Sequence, residues 1–249
     1  MKEKSSIETQ YRLDQFLQLA LGISRKEAGK AIRNRWVNVN GELVTQRDFK
    51  VTEEDKIEVD DEVITYSSKK RYFMLHKPAG YVSSHRHDGH ISLFRLLDED
   101  EDVETLHIAG RLDADTTGMV LITDDGQWSH RIMRPGNQLD EESDVAKTYE
   151  IHLARPMTDE MIAELEVGVE LRGDEMPTKP AIVERLDDHS GKMIRLTITE
   201  GRYHQVKRML AAVGNHVEDL HRMQIGHLTL DGLAEGEYRA FTDEEIEGF

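Results

Sequence analysis

HIAGRLDADTTGMVLITDDG, residues 107–126, is the densest polar segment of the chain and the one on which the fold turns. A glycine-containing turn, Ala109 to Leu112, comes first, the acids Asp113 and Asp115 follow, and the apolar run Met119 to Ile122 comes last. Asp113, Asp115 and Thr117 fit the D-x-D-x-T pattern of aspartyl-phosphate phosphatases. Those enzymes need the first Asp at the exit of a buried strand, as nucleophile beside Mg²⁺. Here the strand-like run follows the acids, so the order is reversed and that chemistry is not expected.

Outward from this segment, Tyr72 to Leu75 read as a strand that meets a turn at Lys77-Pro78-Ala79-Gly80. Ile194, Leu196 and Ile198 alternate with polar residues as a half-buried strand does. A helix follows with Val206, Met209, Leu210 and Val213 on its apolar face, closed by Gly214. Short strands and a few helices without regular βαβ spacing predict α+β architecture, not a doubly wound parallel sheet.

Residues 10–58 read as a separate small unit. Leu13, Phe16, Leu17 and Ala20 recur at helical spacing, which predicts a helix from Tyr11 to Leu21 ended by Gly22. Ser24 and Glu27 form a capping-box pattern at the start of a second helix. That helix is expected to bury Ala28, Ala31 and Ile32, with Lys26, Lys30 and Arg33 along the face beside them. Val37 and Val39, a turn at Asn40-Gly41, then Leu43 and Val44 predict a hairpin. Residues 59–70, acidic and then rich in Ser and Lys, read as a linker to a second unit over 71–249.

Composition narrows the chemistry. The 249 residues are 38% hydrophobic and 33% charged, with no cysteine, which excludes disulfides, thiolate catalysis, iron–sulfur clusters and cysteine zinc sites. No apolar run approaches the ~18 residues of a membrane span. The N-terminus lacks the apolar stretch of a signal peptide, so a cytoplasmic protein with no membrane partner is expected. The formal charge is −17, from 32 basic and 49 acidic residues, and its mean field would repel a polyanion. Acid is bunched at Glu53–Glu62, Asp98–Glu104, Asp140–Asp144 and the C-terminal segment, whereas Arg25, Lys26, Lys30, Arg33 and Arg35 face only Glu27 between residues 24 and 35. Contact with phosphates therefore rests on local patches. SHRHDGH, residues 84–90, narrowly misses the H-x-H-x-D-H zinc pattern because Asp88 stands one place early, so an exposed polar loop is expected there.

RLDQFL at 12–17, GISRKEA at 22–28 and VNVNG at 37–41 resemble the S4 RNA-binding domain. That family usually carries Gly after its second helix, where Asn34 stands; Asn is the next best residue for a left-handed cap. GRLDADTTG at 110–118 resembles the catalytic motif of pseudouridine synthases, and KPAGY at 77–81, KTY at 147–149 and EGRYHQVKRM at 200–209 accompany it in order. DDGQWSHRI at 124–132, AAVGNHV at 211–217 and His221-Arg222 make the chain similar to the RsuA family, which modifies small-subunit ribosomal RNA.

The resemblance implies an S4-like helical and hairpin domain followed by a mixed, largely antiparallel-sheet synthase domain. It implies conversion of a uridine in small-subunit (16S) rRNA to pseudouridine, on free RNA or a partly assembled ribonucleoprotein, by a monomer. Asp113 would be the nucleophile, at ribose C1′ or at the base. Tyr149 would stack on the flipped uracil, and Lys207, ahead of Arg208, would be the cation beside Asp113. Arg111 would fill the gap left by the nucleotide or fix a phosphate, Asp115 would brace the loop, and Gly110 and Gly118 would allow tight turns. Arg25, Lys26, Lys30 and Arg33 would bind RNA, in a basic path continuing to Arg111, Arg202 and Lys207. No cofactor or metal is expected, because the isomerisation gains and loses no group. His76 departs from the Asn that relatives carry before K-P-x-G. The alternative is an S4 module on an inactive synthase-like domain that only binds rRNA during assembly; the intact Asp113, Tyr149 and Lys207 set argues against it.

Overall fold

The computed structural model of the chain describes residues 10–21, 23–64, 66, 70–86, 89–99, 101–133, 145–186 and 189–249. Gly22, most of the Ser/Lys stretch at 67–69, His87, Asp88, Asp100 and the acidic run Asp140–Asp144 lie outside the described residues. The chain divides into two units, residues 1–70 and 71–249.

The first unit runs β1 (Tyr11–Arg12), α1 (Leu13–Leu21), α2 (Arg25–Arg33), β2 (Val37–Val39), β3 (Glu42–Leu43), β4 (Lys50–Val51), β5 (Ile57–Val59) and β6 (Glu62–Ile64). Helix α1 starts two residues later than its spacing predicts, because Tyr11 and Arg12 pair antiparallel with Val51 and Lys50. The same partner segment takes two of the helix's unpaired N–H groups: Leu13 donates to the Phe49 carbonyl and Asp14 to that of Arg47. Ser24 and Glu27 form the expected capping box on α2. Ala28 and Ile32 are buried, Ala31 only partly, and Arg25, Lys26, Lys30 and Arg33 are all exposed.

The left-handed residue after α2 is Arg35 (φ 64°), not Asn34, whose φ is −76°. Asn34 still donates to the Lys30 carbonyl as a helical residue does, and Trp36 then reaches back to Ala31 and Arg35 to Ile32. Those two bonds are the Schellman pattern, which puts the positive φ one residue later. Asn40 (φ 52°) and Gly41 (φ 82°) make the two-residue turn between β2 and β3. The sheet order is β3-β2-β5-β6, so Glu62–Ile64, inside the stretch read as linker, forms its last strand. Leu13, Phe16, Leu17, Ile32, Val37 and Ile57 are fully buried beneath it.

The second unit runs β7 (Tyr72–Lys77), β8 (Tyr81–Val82), β9 (Ile91–Ser92), β10 (His107–Ala109), β11 (Thr117–Thr123), α3 (Gly126–Met133), β12 (Lys147–Leu153), α4 (Asp159–Val167), β13 (Ile182–Arg185), β14 (Met193–Ile198), α5 (Gln205–Ala212), β15 (Val217–Ile225), β16 (Leu228–Thr229), β17 (Tyr238–Ala240) and α6 (Asp243–Glu247). Its main sheet has the order β13-β14-β12-β15-β11-β7-β17, with β10 on β11 and β16 on β15. Every pairing in that sheet is antiparallel except β11 with β15, where Thr117 faces His221 and Gly118 faces Arg222. Mixed and largely antiparallel, it is the sheet expected of the α+β class.

Period-two alternation buries both faces. Val120 and Ile122 of β11 join Phe73 and Leu75 of β7 in the core that α5 covers with Val206, Met209 and Leu210. Met119 and Leu121 join Met74 on the other face, against Trp128 and Ile132 of α3.

That second core is closed by α6, a helix of only five residues that needs help at its ends. Thr242 and Glu245 form a capping box, and Arg239 holds both Glu245 oxygens at 2.7 and 2.8 Å. The Arg239 hydrogen bonds keep the Glu245 carboxyl down at about 2, burial opposing and the Thr242 N–H assisting. Its folded value lies below its ordinary one, so this contribution is complete above about pH 4.5 and is lost as pH falls towards 2. Glu245→Gln is expected to cost about 1 kcal/mol at pH 7. Thermal melts followed by tryptophan fluorescence should show the variant and the wild type converging near pH 2; a constant gap down to that pH would refute the assignment.

Candidate active site

Asp113 sits on the loop between β10 and β11, and that loop is tied down at almost every residue. Lys77, fully buried at the end of β7, donates its ammonium to the carbonyls of Pro78 (2.9 Å), Ala114 (3.3 Å) and Thr116 (2.7 Å). Gly80 donates to the Ala114 carbonyl as well. The Ser83 hydroxyl donates to the Leu112 carbonyl and accepts from the Leu112 N–H. Arg222 donates to the carbonyls of Gly110 (2.6 Å) and Met119 (2.8 Å), clamping the loop at both of its roots. Gly118 has φ 108°, and a Cβ there would run into the Arg222 backbone, so glycine is what lets β11 and β15 pair at this point.

Both carboxylate oxygens of Asp113 are engaged. Lys207 Nζ lies 3.1 Å from Oδ2 and His204 Nε2 lies 3.1 Å from Oδ1. Lys207 also reaches Asp115 at 2.6 Å. Burial opposes the Lys207 charge, but the hydrogen bonds to Asp115 and Asp113 outweigh it and hold the ammonium above its ordinary value. The same bond, again against burial, holds the Asp115 carboxyl below its usual range. His204, just ahead of α5, is left-handed (φ 47°, ψ 36°) and stacks on the exposed Tyr203 ring at 3.8 Å. This conformation turns the imidazole towards the loop while Val206, Met209 and Leu210 anchor the helix in the core.

Asp113, Arg111, Tyr149 and Lys207 line one cavity of about 570 Å³. Five cationic side chains surround it (Arg111, Lys147, Arg202, Lys207 and Arg222) against the single carboxylate of Asp113. Of these, Arg202 is paired with Glu200 and Asp174, and Lys207 with Asp113 and Asp115. Arg208 is not among the lining residues: its guanidinium is spent on Asp174 (2.7 Å) and on the carbonyls of Tyr203 and Arg172. Arg25, Lys26, Lys30 and Arg33 belong to the other unit and are solvent-exposed.

The two competing constellations find other uses. Asp113 follows a turn and leads into β11, and Lys207 stands between it and Asp115, where a phosphatase would need its cation. His85 stacks flat on Phe94 at 4.0 Å and bonds the Leu106 carbonyl, a packing role. Three side chains at the site, Ser83, His204 and Arg222, were not singled out from the sequence. His204 and Arg222 lie inside quoted motifs, in EGRYHQVKRM and beside His221, whereas Ser83 carries no signal in sequence.

Comparison with known proteins identifies the family. A family model described as RNA pseudouridylate synthase matches residues 71–212, and one described as S4 domain matches residues 12–57. The ribosomal small subunit pseudouridine synthase A of Haemophilus influenzae is 47% identical over 237 residues, covering 95% of this chain and 98% of its own. The protein of the same name from Escherichia coli is 48% identical over 236 residues, covering 94% and 98%. A crystal structure of a pseudouridylate synthase superposes with a TM-score of 0.65 at 47% identity, over 95% of this chain and 98% of its own.

Proposed function

This chain belongs to the RNA pseudouridylate synthase family, with an S4 domain ahead of the synthase domain, and from that membership we propose that it converts a uridine of small-subunit (16S) rRNA to pseudouridine, with Asp113 as nucleophile. The observation that carries the reading is the Asp113 carboxylate, held oxygen by oxygen by Lys207 and His204 inside a cationic cavity that Tyr149 also lines. The reaction breaks N1–C1′, turns the uracil and joins C5 to C1′; the C5 proton leaves and N1 gains one. A positioned carboxylate suits either attack, at C1′ or at the base. Lys207 places a positive charge 3.1 Å from that carboxylate.

The uridine must leave its stack to reach Asp113, and the Tyr149 ring offers a replacement surface. Arg111, exposed at the cavity and without a hydrogen-bond partner among the described residues, suits a backbone phosphate. Arg25, Lys26, Lys30 and Arg33 form the basic face through which the S4 unit, residues 10–58, binds rRNA. That unit's sheet ends with β6 (Glu62–Ile64), and the synthase unit follows from Arg71. The protein acts in the cytoplasm as a monomer, on RNA alone or in a partly assembled particle. No described helix is long and apolar enough to cross a membrane.

Tritium release from C5-labelled uridine in small-subunit rRNA, with and without partial protein assembly, tests the reading. Stoichiometric release is expected. Tight rRNA binding with no release from any assembly state would favour an assembly factor instead.

Lys77 adds a pH dependence. Burial pushes its ammonium down to about 8, with Asp115 and Asp113 pulling upward. A neutral amine has two N–H donors for three carbonyls, so the Asp113 loop slackens as Lys77 loses its proton. Single-turnover rates should therefore fall as pH rises through about 8. Stability responds in the opposite sense: the folded value is below the ordinary 10.5, the unfolded chain binds more protons between the two, and the cost of burying the charge is relieved as pH climbs. Rate and melting temperature measured from pH 6.5 to 10 should diverge; a parallel fall would assign the rate loss to unfolding.

A further inference from the structure

Arg222 is a cation in the cavity that the synthase chemistry has not yet used. Its side chain is 98% buried by residue exposure (2% accessible), and among the described residues no carboxylate pairs with it. Nε donates to Met119 O and Nη2 to Gly110 O, both on the Asp113 loop and the strand it enters. Nη1 has no acceptor among the described residues. It lies 3.7 Å from where a Cβ on Gly110 would stand, over the bare side of a glycine that itself lines the cavity. A buried guanidinium without a carboxylate is costly to keep, and two carbonyls satisfy only part of its donor set.

Register fixes what stands next to it. Arg222 of β15 is opposite Tyr149 of β12, so the two side chains share one face of the sheet. Leu220, two residues earlier on the same face, completes that wall of the cavity. A base stacked on Tyr149 therefore presents its rim to Arg222. The uracil rim offers acceptors, O2 and O4, to a donor that has no other.

We propose that Arg222 is a catalytic residue that donates through Nη1 to a carbonyl oxygen of the flipped uracil. This rests on the synthase reading and deepens it. Negative charge reaches those oxygens on either route. If Asp113 attacks C1′, the N1–C1′ electron pair leaves with the base, and the uracil anion spreads its charge over N1, O2 and O4. If Asp113 adds to C6, the C5–C6 π pair moves into the C4 carbonyl and the charge sits on O4. On the first route C5 attacks C1′ as the Asp113–C1′ bond breaks, returning the charge to the carboxylate, and the C5 proton then departs to solvent as N1 takes one up. On the second C5 bonds to C1′ as N1–C1′ breaks, N1 takes up a proton, and loss of the C5 proton expels Asp113 from C6. A fixed cation at the carbonyl stabilises the charged species more than the neutral substrate, which is the condition for catalysis.

Sulfur in place of oxygen weakens that hydrogen bond without removing the base. The test uses C5-tritiated small-subunit rRNA transcripts carrying uridine, 2-thiouridine or 4-thiouridine, with wild type and Arg222→Lys. On uridine, wild-type release comes first: without it the synthase reading itself fails. With it, wild type should lose about 10- to 100-fold on one thio transcript. Arg222→Lys should already be about 100-fold slower on uridine, bind RNA as wild type does, and lose little more on that same transcript. Equal wild-type rates on all three transcripts would overturn the role of Arg222, and so would an undiminished thio effect in the variant. Should the variant not fold, the wild-type thio effect decides by its presence or absence.

Discussion

Asp113→Asn should abolish tritium release, lowering the single-turnover rate by about 10⁴-fold or more, while affinity for rRNA stays within about twofold. The substitution is nearly isosteric, and the loop does not depend on the carboxylate for its shape. Lys77, Gly80, Ser83 and Arg222 hold its backbone through bonds to Gly110, Leu112, Ala114 and Thr116. The Asn amide can accept from Lys207 through its oxygen but is not a nucleophile. Circular dichroism and melting temperature should match the wild type. Residual release above about 1% would remove Asp113 from the bond-making role and leave it a structural acid.

Lys207→Met should lower kcat by about 10²- to 10³-fold with little change in stability. Lys207 is the only lysine or arginine paired with Asp113 or Asp115 among the described residues, His204 holding the other Asp113 oxygen. Asp115 is exposed and Asp113 partly so, and ion pairs in such settings contribute about 1 kcal/mol or less to folding. The loss should therefore appear in the rate and not in the melt. Lys207→Arg keeps the charge but changes its geometry, and should retain activity within about tenfold. A Met variant as unstable as it is slow would make Lys207 a folding residue.

Much of the site was legible in sequence because its chemistry is written in contiguous motifs. Asp113, Tyr149 and Lys207 each lie in a quoted segment, and the structure brings all three to one cavity. Arg208 stands directly after Lys207 in the same motif, and one helical step of about 100° is enough to turn it from the loop towards Asp174. What stayed hidden depends on partners far away in the chain. Tyr11 reads as helical until Val51 pairs with it, and the turn after α2 looks assigned to Asn34 until Trp36 bonds back to Ala31. Arg222 is legible only as part of a motif, because nothing local says that Gly118 will lie against it. The single parallel pairing in the sheet is likewise invisible to period-two alternation, which is the same for either strand direction.

That parallel pairing also sets an order of events during synthesis. The Asp113 loop leaves the ribosome after Lys77, Gly80 and Ser83, which hold part of its backbone, but about 90 to 110 residues before His204, Lys207 and Arg222, which complete the site. Closing so long a loop is slow and gains nothing until its far strand arrives. A nascent chain can therefore carry a complete RNA-binding unit and an exposed aspartate, yet have no assembled catalytic centre. Activity begins only when β15 docks, which makes chemical competence a late reporter of finished folding.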